Sequence, residues 1–75
     1  MLDRFGKLIR DIRLTRSILL YDMAKDLNIS SAELSGIECG RIPIPNWFIP
    51  AVSEKYNIGD TCTQILHILA EERVS

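Results

Sequence analysis

The sequence predicts an all-α fold: one compact domain, residues 1 to 75, built from five helices. Two observations carry this. Apolar residues recur three and four positions apart, as on one face of a helix: Phe5, Leu8, Ile9 and Ile12 near the start, Leu34 and Ile37 in the middle. Between the periodic segments stand residues that stop or turn helices, namely Ser17, Asn28, Gly40 and Asn57. Size sets the domain count. Seventy-five residues, 47% of them apolar, suffice for a single core and argue against a disordered chain. A chain of this length buries only about 60–65% of its unfolded surface, so stability should be modest.

Residues 3 to 16 read as the first helix, with Phe5, Leu8, Ile9 and Ile12 as its buried stripe. Its basic residues, Arg4, Lys7, Arg10, Arg13 and Arg16, fall three apart and so spiral around the polar side. Ser17 ends it. The second helix runs from Leu19 or Leu20 to Leu27, with Leu20, Met23, Ala24 and Leu27 inward. Asn28 tolerates a left-handed backbone, which suits a tight corner. Ser30 is placed to cap a third helix, with Glu33 as the return partner of a capping box. That helix spans residues 31 to 38, and Gly40 stops it. Ser31, Ala32, Glu33, Ser35 and Gly36 are its expected outward side chains.

Pro43 and Pro45 stiffen the loop that follows. Asn46 is expected to cap the fourth helix. Pro50 fits only a first turn, so that helix should begin at about 47 to 50 and end at Asn57. Trp47, Phe48, Ile49, Val52 and Tyr56 are its core residues. Asp60 or Thr61 should cap a fifth helix running to about Arg73. Ile65, Leu66, Ile68 and Leu69 give it an apolar face wider than one core contact needs. Such a surplus in a small protein marks a partner surface.

A small residue at Ala24, a turn at Asn28 and buried positions at Ile29, Leu34 and Ile37 together form the pattern of a helix-turn-helix. Residues 5 to 58 resemble the Cro/lambda-repressor-like (XRE) helix-turn-helix domains, and LSGIECG, followed by prolines, resembles the end of that family's recognition helix. The resemblance implies a compact five-helix, lambda-repressor-like DNA-binding domain with the motif on its second and third helices. It implies base reading from Ser31, Ala32, Ser35 and Gly36. Arg10, Arg13, Ser30, Arg41 and Asn46 are the expected phosphate contacts. Relatives also join an arginine of the first helix to a glutamate late in the recognition helix; Arg13 and Glu38 stand at those positions. One departure is plain. Relatives often begin the second helix with Thr-Gln, whose amide touches a phosphate, where this chain has Leu19 and Leu20.

Charge alone points the other way, because the net charge is −1. Its distribution does not. Residues 1 to 16 are basic and the rest is net acidic, and local charge near phosphates matters more than the total. No apolar run approaches the roughly 20 residues that span a membrane. The amphipathic start MLDRFGKLIR shows no signal peptide, and Cys39 and Cys62 form no C-x-x-C, so a reducing cytoplasm or the nucleoid is expected. Cys39, Cys62 and His67 match no zinc spacing, and nothing places a nucleophile beside an oxyanion hole. No enzyme and no cofactor are expected.

The expectation is therefore a transcriptional regulator, a repressor that binds double-stranded operator DNA as a homodimer through its fifth helix with part of the fourth. The alternative is an antitoxin-like module that binds another protein. The small outward residues of the third helix leave both open: serine bonds any base, alanine meets a thymine methyl, and neither makes a bidentate contact.

Overall fold

The structure, a computed structural model, describes residues 2–74. Five helices follow in order: α1 Arg4–Thr15, α2 Leu20–Asp26, α3 Ser31–Cys39, α4 Phe48–Tyr56 and α5 Gly59–Val74. Among the described residues there is no strand. The helices pack into a body of 30 × 26 × 20 Å.

α1 organises the packing. It contacts α3 on one side and α5 on another, while α2 packs on α3 and α4 on α5. Its stripe supplies Phe5, Ile9 and Ile12 to the core, and Leu8 packs at the margin. Met23, Ala24 and Leu27 come from α2 and its end, Leu34 and Ile37 from α3. Phe48, Ile49 and Val52 of α4 join Leu66 and Leu69 of α5. Phe5 and Phe48 meet at 6.1 Å between ring centroids, tilted by 46°, which is a favourable aromatic approach.

The connections obey local chemistry. Asp3 caps α1 by accepting from the Gly6 N–H at 2.9 Å. Ser17, with φ of 56°, turns the chain after α1. Asn28 adopts φ of 61° between α2 and α3, as its tolerance of the left-handed region predicts. Ile29 N–H then returns to the Ala24 carbonyl at 2.9 Å and closes the corner. Gly40, at φ 84°, ends α3.

Two helix starts differ from expectation. Asn46 does not cap α4: the residue before that helix is Trp47, which makes no side-chain cap bond. The turn over Pro45 to Phe48, closed by Phe48 N–H on the Pro45 carbonyl at 3.0 Å, moves the start past Asn46. Pro50 does sit in the first turn. α5 begins at Gly59, ahead of Asp60 and Thr61. Left-handed backbone at Asn57 (φ 53°) and Gly59 (φ 85°) reverses the chain within three residues, so no separate capping loop is used.

Candidate functional site

α3 is packed from behind by α1 and α2 and carries exposed residues on its other side. Its first turn is capped by Ser30, whose Oγ accepts from the Glu33 N–H at 3.0 Å. Leu34 and Ile37 are buried beneath it. Behind its last turn, Arg13 donates to the Glu38 carboxylate, and these are the two buried charged residues among the described residues, 8% and 4% exposed. The pair expected at these positions is present, and it locks α3 to α1. Ala32 and Glu33 are exposed, and Ser31, Ser35 and Cys39 are half-buried. Ser31, Ser35 and Cys39 stand four apart along one strip, with Ala32 beside them. Arg41 is exposed and lies at 3.5 Å from Ser35 Oγ, which brings one expected phosphate contact next to one expected base contact.

Several expected site residues are placed otherwise. Gly36 is not outward. It is buried, and the Ile42 side chain folds over it while the Ile42 N–H donates to its carbonyl at 3.1 Å. A base cannot reach it there. Arg13 is placed less openly than a phosphate contact requires, because its guanidinium is enclosed with Glu38. Ser30 and Arg10 are exposed, as a phosphate contact requires, and so is Asn46, although it caps nothing. Leu66 and Leu69 belong to the core of the single chain and are unavailable to a second copy; Ile65 and Ile68, 43% and 57% exposed, are what remains of that surface. Trp47, expected in the core, is 43% exposed and leans on Phe48 at 5.8 Å.

The basic first helix is partly committed to internal partners. Arg4 pairs with Glu72 at 3.0 Å. Arg16 donates to the Tyr56 carbonyl at 2.7 Å, tying the end of α1 to the last turn of α4. Lys7 and Arg10 project as exposed cations. Tyr56 in turn donates its hydroxyl to Asp26 at 2.7 Å; burial and that bond push the phenol's pKa up.

Three positioning residues escape a linear reading. Arg73, near the end of α5, donates to both oxygens of Asp3 at 2.6 and 2.7 Å and to the carbonyls of Ile37 and Glu38 at 2.5 and 2.9 Å. Its guanidinium also lies 5.0 Å from the Phe5 ring centroid. The Arg73 bond to the Asp3 side chain, against some burial and aided by the Gly6 N–H, holds the Asp3 pKa down at about 2. Gly6 lets α1 approach the Glu38 backbone so closely that a β-carbon would overlap that carbonyl. Asp22 accepts from the Leu19 N–H at 3.1 Å and thereby starts α2 without a polar cap residue. Of the three only Asp22 had a sequence signal, an acidic side chain three residues into a helix.

These features define a small all-helical domain that presents one short, capped helix on a rigid base. Comparison with protein-family models, with curated proteins and with solved structures gave no match. Among the described residues, no helix is long and apolar enough to cross a membrane, and no three His, Cys, Asp or Glu side chains are grouped to hold a metal ion.

Proposed function

We propose that this chain is a sequence-specific DNA-binding regulator of transcription, a repressor that lays α3 in the major groove of a two-fold symmetric operator. One observation carries the reading. α3 offers Ser31, Ala32 and Ser35 outward from a capped first turn, beside the exposed cation Arg41, while its inner side is fixed by apolar packing and the Arg13–Glu38 pair. The α2–α3 corner with left-handed Asn28 supports a helix-turn-helix of the lambda-repressor-like kind. Small side chains let a helix approach base edges closely, and DNA shape then shares the discrimination. Arg10, Ser30, Arg41 and Asn46 are the proposed phosphate contacts. Two copies joined through Ile65 and Ile68 would set their recognition helices roughly 34 Å apart, one turn of duplex. Occupying a promoter in this way excludes polymerase without a ligand.

A mobility-shift titration against the chain's own promoter region, at two salt concentrations, tests the proposal. Specific, salt-sensitive shifts with half-site symmetry are expected. Arg41→Ala should weaken all sequences alike and lower the salt slope by about one. Substituting Ser31 or Ala32 should change preference at one base pair by ~1–3 kcal/mol. Equal affinity for every duplex would end the proposal.

A second reading is an antitoxin-like module that binds another protein. The observation in its favour is apolar exposure at the end of α1 and the start of α2, where Leu14, Leu19 and Tyr21 are 63%, 70% and 65% exposed. The two leucine side chains make no phosphate contact. Retained promoter binding in a Leu19→Gln variant, or a gain in it, argues for DNA as the partner of this edge.

A further inference from the structure

We infer that Arg73 is a positioning residue for α3: the end of α5 holds the carboxyl end of that helix, so the presentation of Ser35 and Arg41 depends on α5 being docked. Its consequence for DNA rests on the reading above; its geometry does not. The last carbonyls of a helix lack partners within the helix and favour a nearby cation. α1, α2, α4 and α5 each carry a basic residue in their own last turn, and α3 carries none. Arg73 supplies it from another element. Two of its bonds reach the Ile37 and Glu38 carbonyls in the last turn of α3, and the fork's remaining bonds hold the Asp3 carboxylate at the start of α1.

The site is built, and it is largely closed. The Arg73 side chain is 14% exposed and stacks over Phe5, which is itself buried. It lies beside Gly40, where α3 ends and the Arg41 loop begins. A lysine could bring charge to this spot but not a planar fork that meets a carboxylate and two carbonyls at once. Arg73 therefore joins the first helix, the presented helix and the last helix at one point. A change that loosens the end of α5, such as a partner drawing on it, is transmitted to the loop that carries Arg41.

The test compares the full chain with Arg73→Gln and Arg73→Lys, at a temperature where melting shows each to be folded. Amide exchange is read at Gly40 and Ile42, whose N–H groups bond the Ile37 and Gly36 carbonyls. Operator and non-specific duplex affinities are read alongside. In Arg73→Gln those two amides should exchange at least about tenfold faster, while the Met23 amide changes less than about twofold. Operator affinity should fall about tenfold and non-specific affinity less than about twofold, with Arg73→Lys between. Acceleration shared by all helices, or none, overturns the inference, since it reduces Arg73 to general stability or to nothing. Unchanged operator affinity with loosened amides overturns its functional half. If Arg73→Gln does not fold, Asp3→Asn, which frees one side of the fork, must show the same local pattern at smaller size, and a uniform change or none is decisive against it. Should the native chain show no operator preference, the DNA reading falls while the exchange comparison still decides the clamp.

Discussion

Arg13 illustrates how burial changes what a charge does. In the linear sequence it is one of five cations on a helix, and a phosphate partner is a reasonable expectation. Enclosed with Glu38, it has a different job, because a buried carboxylate without its partner is costly. Arg13→Ala should destabilise the fold by on the order of 3–5 kcal/mol in denaturant unfolding. Replacing both residues together, Arg13→Met with Glu38→Leu, should recover most of that loss, since apolar side chains of similar size remove the stranded charge. If the double variant is no more stable than the single one, the pair is not acting as an isolated buried couple. Any fall in DNA affinity in these variants would follow from a displaced α3, not from a lost phosphate contact.

Packing between elements reverses a rule of propensity at Gly6. Alanine is favoured over glycine inside a helix by up to ~1 kcal/mol, so Gly6→Ala would stabilise an isolated α1. Here the added methyl overlaps the Glu38 carbonyl, which is backbone and cannot swing aside. The substitution should instead lower stability by about 1–3 kcal/mol, as overpacked contacts do. A raised melting temperature would mean that α1 and α3 are not in such close contact. Capping behaves more simply. Ser30→Ala removes the acceptor for the Glu33 N–H and should cost ~1 kcal/mol, read by the same unfolding curves.

Whole-chain behaviour should register in pH and in association. Asp3 has its pKa lowered from 3.8 to about 2, chiefly by its bond to Arg73. A lowered carboxylate pKa stabilises the fold above the unfolded value, and that contribution is lost as pH falls from about 3.8 through about 2. Asp3→Asn should therefore flatten the acid limb of stability in that window, measured by unfolding at stepped pH. Tyr56 is raised, first by burial and then by its bond to Asp26, so its contribution is present below its ordinary value of 10.0 and fades as pH rises above it. Tyr56→Phe should flatten the alkaline limb. On the outer side of α5, Ile68→Asp should leave the melting curve of a dilute sample unchanged but shift sedimentation toward the monomer. A native chain that is already monomeric at high micromolar concentration would remove the homodimer from the proposal.

What could be read from the chain was what neighbouring residues settle among themselves. Helical periodicity located all five helices, because the alternation of apolar and polar side chains is local. Asn28, Gly40 and Asn57 marked their turns, because a left-handed backbone is a property of one residue. Ser30 marked the start of α3 because its cap bond reaches only three residues along the chain. The Arg13–Glu38 pair was legible only through a family resemblance, and the loss of Gly36 from the outward strip was not legible at all, since it depends on Ile42 folding back from the following loop. Leu66 and Leu69 looked like surplus until α1 and α4 were packed against them. Asp3 and Arg73 lie 70 positions apart, and no spacing rule connects them. Burial and long-range charge pairing belong to the assembled helices, because they depend on which surfaces meet; local sequence decides which segments are helical and where they turn.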